Sequence, residues 1–393
     1  MIRGAGPESE HPIRVNHTRF LTTLLDLCSI PSPSGSEDRV ASRVLEFALA
    51  NGITVVEDGS AGLQSEPSGS DSGQQGNIVL ACESSSSERL FLSAHLDTVD
   101  VPHGIETISV LNTNGRIVSE GDMILGGDDK VGVAAALEML SLCVEHPNAH
   151  RSLEVVLFVQ EELGCRGSRL FDPGTVKAKT GFNLDGETPP FTAIRRAPQK
   201  SHFTCTVGGR RAHAALNPEA GINAIVVASH LLSLLPAGRL PGESTTNVGS
   251  IQGGERTNVV PDRVVIRGEL RSFSGHQFEE YANEIENCCS ETAAKFGVPI
   301  GLVWSPAYEG YEITTDEECS QWFSSACRCL GEEPQFLSSP GGGDSNNLNA
   351  MGLRNVVFGL GMHNIHGSDE YLDEAEILRA VDLLCAAVFP GSR

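Results

Sequence analysis

The run L-E-V-V-L-F-V-Q, residues 153–160, most narrows the folds open to this chain. A continuous apolar stretch with β-branched residues reads as a strand buried on both faces, and such a strand needs packed layers above and below it. N-I-V-L-A (77–81), L-F-L-S-A-H (90–95) and F-N-L-D (182–185) read as further strands of the same sheet. G-V-A-A-A-L-E-M-L-S-L-C (132–143) reads as a helix whose small residues let it pack closely on that sheet. The alternation of strand and helix argues for an α/β architecture, a mixed sheet flanked by helices.

The flanks follow the same grammar. Residues 1–16 read as a loose tail, and Phe20, Leu21, Leu24, Leu25 and Leu27 recur at helical spacing. After I-P-S-P-S-G-S, Ser36 is placed to cap a second helix carrying Val40, Val44 and Leu45, with Gly52 set to end it. The Ser/Gly-rich stretch 59–76 reads as a mobile surface loop.

From about Gln199 the pattern changes to strand, helix, strand, strand, helix, strand, the order of a ferredoxin-like βαββαβ unit. After Pro306 the earlier style resumes, with a helix over Glu317–Leu330, the loop P-G-G-G-D-S-N, a strand N-V-V-F-G and a closing helix over Asp373–Val388. The expectation is a catalytic domain formed by 1–198 and 306–393, interrupted by an inserted lid domain over 199–305.

The formal net charge is -23 and no basic cluster could follow a phosphate backbone, which argues against nucleic acid as a partner. Eleven cysteines at irregular spacing, without a C-x-x-C pair, do not read as a secreted disulfide framework. No apolar run approaches a membrane span, and the N-terminus has no apolar core of signal-peptide length, so a reducing cytoplasm is the expected compartment and no membrane partner is expected.

Polar residues with chemistry gather at strand ends and turns. His95 and Asp97, two apart, leave one face at the end of a strand, where open α/β sheets build their sites. G-G-D-D-K places Asp128 and Asp129 in a glycine turn ahead of a helix. Helix capping is the plain alternative there, but adjacent carboxylates call for a cation or a helix N-terminus. Q-E-E-L-G puts Glu161 and Glu162 at the end of the long apolar strand. F-N-L-D-G adds Asp185, and N-I-H-G-S-D-E adds His366. Two imidazoles with several carboxylates suit two zinc ions, or cobalt or manganese.

The ordered series H-L-D, G-G-D-D-K, E-E-L-G, N-L-D-G-E and N-I-H-G resembles the two-zinc metallopeptidase family that includes peptidase T, glutamate carboxypeptidases, acetylornithine and succinyl-diaminopimelate hydrolases and aminoacylases. The resemblance implies that Asp128 bridges two ions, that His95 and Asp185 complete one site, and that Glu162 and His366 complete the other. It implies Asp97 behind His95 and Glu161 as general base. In the inserted domain, G-R-R-A-H-A-A resembles the family's lid motif, with His213 donating to the carbonyl oxygen. G-G-E-R-T-N and G-E-L-R resemble segments that place Asn258 and Arg271 on substrate. G-G-G-D-S-N resembles a substrate-side loop, with Gly342 and Asp344 as its candidates.

An arginine fork suits a free carboxylate, so the resemblance implies an exopeptidase or an N-acyl amino acid hydrolase. Asp185 followed by Gly, D-D-K and N-I-H-G together look closest to peptidase T. The expected activity is cleavage of short peptides by a dizinc tripeptide or dipeptide aminopeptidase. An N-acyl or N-carbamoyl amino acid amidohydrolase is the alternative, and an inactive metal-dependent binding protein the least favoured reading. Pairing through the lid into a homodimer is a further expectation.

Overall fold

The computed structural model describes residues 13–60, 75–99, 101–102 and 104–391, so most of the tail and of the loop expected at 59–76 lies outside the described residues. The chain divides into two compact units. The first comprises the chain up to Arg195 with Glu312–Ser338 and the segment from Gly343 onward. The second comprises Arg196–Tyr311 with Ser339–Gly342.

The first unit is built on a mixed sheet flanked by helices, as the alternation of patterns predicts. At its centre four strands run parallel in the order Ser152–Phe158, Arg89–His95, Thr180–Gly186 and Arg354–Gly359. Ile78–Cys82 joins one side antiparallel, and Thr192–Ala197 pairs antiparallel with Arg354–Gly359 on the other. Every residue of Ser152–Phe158 is buried, the environment its unbroken apolar run requires. Val156 and Phe158, two apart and therefore on one face, pack with Val79 and Phe91 against Phe171, Leu348 and Leu353. Phe158 is fully buried, and truncating it to alanine costs roughly 3–5 kcal/mol.

The helix Gly127–Glu145 packs on Arg89–His95, Thr180–Gly186 and Ser152–Phe158, and is covered by the helices His17–Cys28 and Glu374–Val388. It is buried from Gly127 to Cys143, and its run Ala134–Ala135–Ala136 explains the close approach.

Two local expectations are revised. The helix Asp38–Ala50 is preceded at its N-cap by Glu37 rather than Ser36. Glu37 makes no cap bond; its carboxylate accepts the backbone N–H groups of Gly35 at 2.8 Å and Gln160 at 3.1 Å instead. The segment expected as the loop P-G-G-G-D-S-N is only half a loop, because Asp344–Ala350 is helical and almost wholly buried. Its Asn and Ser residues carry no apolar periodicity, so nothing in the pattern marked it. The structure also adds a small four-stranded sheet that joins Val110–Thr113, Arg116–Ser119, Tyr371–Asp373 and Met362–His363, and His366 sits in the turn between the last two.

The second unit has the expected strand and helix order. Its five-stranded sheet runs Gly238–Leu240, Ser244–Gly253, Arg263–Ser272, Gln199–Gly208, Ile300–Tyr308, all antiparallel. The four longer strands thus stand in the spatial order second, third, first, fourth of a ferredoxin-like fold. Phe203, Cys205 and Val207, alternate residues of one strand, pack under Val227 and Leu231 of the helix Ala224–Leu234 and Ile285 and Cys289 of the helix Gly275–Phe296. Among the described residues, no helix is long and apolar enough to cross a membrane.

Candidate metal centre

Parallel strands end on a common edge, and in the first unit that edge collects the acidic and imidazole side chains. His95 closes Arg89–His95, Glu161 and Glu162 follow Ser152–Phe158, and Asp185 is near the end of Thr180–Gly186. Asp128 arrives from the start of Gly127–Glu145, where Asp128 and Asp129 have non-helical backbone angles and are joined by a cis peptide bond. Gln160, Cys165 and His366 adopt positive φ angles of 54°, 57° and 65°, conformations uncommon outside glycine that gather around functional sites.

One carboxylate lies between two imidazoles. Asp128 Oδ1 is 3.1 Å from His95 Nε2, and Asp128 Oδ2 is 3.1 Å from His366 Nε2. His366 Nε2 also lies 2.9 Å from Glu162 Oε1, and His95 Nε2 lies 3.8 Å from Asp185 Oδ1. Donor atoms of His95, Asp128 and Asp185 stand within 4.8 Å of one another, as do those of Asp128, Glu162 and His366. A tetrahedral ion with bonds of about 2.0 Å spaces its ligand atoms roughly 3.3 Å apart, within the range seen here. Two three-donor groups that share Asp128, all nitrogen and carboxylate oxygen, fit two zinc-class cations.

The surroundings orient these groups. His95 Nδ1 donates to the Asp97 carbonyl at 2.9 Å, which turns Nε2 towards Asp128. Asp97 is fully buried, and its Oδ1 accepts the backbone N–H of Glu161 at 2.9 Å. Its Oδ2 accepts the N–H of Glu162 at 3.1 Å and the Ser34 hydroxyl at 2.6 Å. Asp129, also buried, accepts the backbone N–H of His95 at 3.2 Å and of Gly132 at 3.2 Å. Glu370 accepts the N–H groups of Leu125, Gly126 and Asp128 at 2.9, 2.8 and 3.0 Å, so one carboxylate holds the glycine turn that presents Asp128. Glu370 and Ser34 carry no role in the sequence reading, and Asp129 enters it only as the second acid of the glycine turn. Glu370 is the last acid of N-I-H-G-S-D-E, but nothing in that segment signals its pairing with residues 125–128.

The electrostatics reflect crowding of negative charge. Burial, with Asp128 nearby, pushes the Asp185 carboxyl well above the usual carboxylate range. Hydrogen bonds to Asp128 and then Glu162 hold His366 protonated up to about 10. Burial works to lower the His95 pKa, but Asp128 and Asp97 together hold it well above its ordinary value. Burial and then the Asp344 carboxylate push Glu161 up to about 8. A cation held by these residues would take the place of the histidine protons and relieve the carboxylate repulsion. Glu161 has a 3.1 Å contact from the Cys165 thiol, and Glu161, Cys165 and Asp344 bring their polar atoms within 4.8 Å of one another. A Cβ at Gly343 would stand 3.3 Å from Glu161 Oε1 and 3.4 Å from Asp185 Oδ2, so the glycine leaves the space in front of both open.

The structure therefore gathers His95, Asp97, Asp128, Glu161, Glu162, Asp185, Asp344 and His366. His213, Asn258, Arg271 and Gly342 belong to the second unit. There His213 lies in a two-residue ladder with Val259–Val260, and its Nδ1 accepts the backbone N–H groups of Ala215 and Leu216, each at 3.2 Å. Asn258 is exposed, and its backbone carbonyl accepts the Ala214 N–H at 3.0 Å. Arg271 Nε donates to Glu269 at 2.9 Å, while Lys200 takes the other Glu269 oxygen at 3.0 Å. Gly342 is exposed.

Comparison with known proteins bears on both units. Residues 200–296 match the family model described as peptidase dimerisation domain, of the M20 peptidases, and residues 77–208 match that of peptidase family M28. The uncharacterized protein YqjE of Bacillus subtilis is 28% identical over 376 residues, covering 95% of this chain and 98% of its own length. The aminopeptidase PepT of Bacillus cereus is 26% identical with a TM-score of 0.86, covering 95% of this chain and 98% of that one. A tripeptidase of Staphylococcus aureus is 27% identical with a TM-score of 0.88, covering 97% of this chain and 100% of that one. With the fold, these likenesses mark the chain as a hydrolase of peptide bonds, similar along nearly its whole length to aminopeptidases and tripeptidases of the peptidase T kind and, in its second unit, to the dimerisation domain of M20 peptidases.

Proposed function

We propose that this protein is a dizinc exopeptidase that removes the N-terminal residue from tripeptides and dipeptides, with Glu161 as general base. The observation that carries the reading is the Asp128 carboxylate, one oxygen 3.1 Å from His95 and the other 3.1 Å from His366. His95 and Asp185 would hold one ion with Asp128, and Glu162 and His366 the other. When bound, such ions polarise the scissile carbonyl and acidify water.

The protein's own residues do the rest. Glu161 receives the water's proton on a carboxylate oxygen and passes it to the leaving nitrogen, a transfer worth roughly 100- to 10,000-fold in rate. Burial beside Asp344 raises its proton affinity and suits it to that exchange. Asp97 keeps His95 oriented and fixes the backbone that carries both glutamates. In the second unit, His213 is proposed to donate to the carbonyl oxygen as charge develops there. Arg271 is proposed to bind the peptide's terminal carboxylate in exchange for part of its contact with Glu269. Asn258, Gly342 and Asp344 are proposed to line the substrate's path.

The second unit is also proposed to pair with a second copy. Gly238–Leu240 covers only Ser244–Thr246 of its neighbour, which leaves the edge from Asn247 to Gly253 unpaired within that sheet and Ile251 half exposed. The name of the matched domain model supports this. The irregularly spaced cysteines suit a reducing compartment, and the cytoplasm is the proposed location.

The test is a side-by-side turnover panel of tripeptides, dipeptides, N-acetyl amino acids and N-carbamoyl amino acids with the zinc-loaded protein. Faster cleavage of peptides with a free N-terminus supports the reading. Preference for the acylated amino acids replaces it with an amidohydrolase of the same family.

A further inference from the structure

A second group of soft donors lies far along the helix that begins at the metal centre. Cys82 ends the strand Ile78–Cys82, Cys143 lies near the end of Gly127–Glu145, and His150 precedes the strand Ser152–Phe158. Their two sulfurs and one ring nitrogen stand within 4.8 Å of one another. At about 1.5 Å of rise per residue the helix places Cys143 roughly 20 Å from Asp128, so these donors are not part of the metal centre.

The histidine is set for ligation. His150 Nδ1 contacts the Arg151 carbonyl at 2.6 Å, and because a carbonyl can only accept, Nδ1 carries a proton, so that in the neutral ring the lone pair is on Nε2. Nε2 is buried and makes no hydrogen bond. A backbone carbonyl that pins one ring N–H while the other nitrogen is left open is how metal-binding imidazoles are oriented. The ring is 2% exposed and rests edge-on against Phe389 at a centroid distance of 5.9 Å. Cys143 is fully buried, whereas Cys82 is half-buried, which leaves that side open for an ion to enter and for water to fill a fourth position. Cys385, on the closing helix, is near enough to Cys143 to act on it electrostatically.

We propose that Cys82, Cys143 and His150 bind a single thiophilic divalent cation of the zinc class, a structural site apart from the catalytic centre. Two sulfur ligands and an imidazole select zinc or cobalt over magnesium or calcium. Binding forms two metal–sulfur bonds and one metal–nitrogen bond, and any thiol proton displaced goes to solvent. The ion would tie a sheet strand, the long central helix and the segment entering the most buried strand at one point.

The test uses the full-length protein, reduced, stripped with a chelator and titrated with Co2+. The proposal expects Co2+, beyond the two ions taken by the nitrogen and oxygen donors of the metal centre, to give a thiolate-to-metal charge-transfer band in the near ultraviolet with the intensity of one thiolate-bound ion, which Zn2+ abolishes. Cys82→Ser, at a half-exposed position, removes that band and leaves peptidase turnover unchanged, while Cys165→Ser, which removes the thiol beside Glu161, retains it. Absence of the band in the wild-type protein, or a band that survives Cys82→Ser, overturns the proposal. So does a Cys82–Cys143 disulfide in protein isolated without reductant.

Discussion

Asp97 accepts the backbone N–H of Glu161 at 2.9 Å, so the residue whose carbonyl orients the His95 ring also fixes the turn that carries Glu161 and Glu162. Its other oxygen takes the Glu162 N–H at 3.1 Å. Asp97→Asn keeps the shape but replaces one acceptor oxygen with a donor that faces a backbone N–H. Removing outer partners of metal ligands typically weakens metal affinity by about 10- to 100-fold, and that loss is expected here. Competition titration against a zinc chelator measures it. An affinity equal to wild type would show that Asp97 does not support the ligands.

Glu161→Gln is isosteric and leaves the proposed ligands in place. Zinc content and the thermal unfolding profile are expected to stay at wild-type levels, while kcat for tripeptide cleavage falls by roughly 100- to 10,000-fold. Steady-state kinetics with metal analysis on the same preparation checks both. Full activity would remove Glu161 from the mechanism.

Glu370→Ala would leave the N–H groups of Leu125, Gly126 and Asp128 without their carboxylate in a site where Glu370 is only 2% exposed. An unmet buried donor costs about 1–3 kcal/mol, and water entering the gap recovers part of that. A net destabilisation of about 2–4 kcal/mol in urea unfolding is expected, with weaker zinc binding because Asp128 loses its support. Wild-type stability would show that the glycine turn holds without Glu370.

The two imidazoles give the metal-free protein a distinct pH dependence. His366 is raised from 6.5 to about 10 in the folded chain, and His95 is raised as well. A raised histidine stabilises the fold fully below its unfolded pKa of 6.5 and loses that contribution as pH rises through the folded value. The melting temperature of stripped protein is therefore expected to fall between about pH 7 and pH 10. Zinc-loaded protein, whose histidines carry metal in place of protons, is expected to lack that fall, and loading at pH 7 releases protons to a weakly buffered solution. Scanning fluorimetry across pH, with and without zinc, checks the sign.

How much of this was legible in the sequence depends on whether a residue's neighbours in the chain determine its place. The apolar run ahead of Gln160 dictates a central strand, and the residues that follow it must emerge at the sheet's edge, which is why Glu161 and Glu162 could be read. His95 and Asp185 follow the same logic. Glu370 acts through a turn made 242 residues earlier, from Leu125 to Asp128, and no local pattern reports that pairing. The helix Asp344–Ala350 is stabilised by burial and polar contacts such as Ser345 Oγ to Asn355 at 2.5 Å, not by an apolar stripe, so it was hidden from periodicity. Cys82, Cys143 and His150 come from three separate segments whose sequence spacing resembles no ligand motif. The inserted unit was readable because alternation in its strands and apolar faces on its helices recur in ferredoxin-like order.

The most direct measurement is anomalous diffraction at the zinc edge from crystals of the zinc-loaded protein. Two peaks about 3.5–4 Å apart are expected, one between His95 and Asp128 and the other between Asp128 and His366. A single peak at these residues, or two peaks that do not share Asp128, would contradict the dinuclear centre.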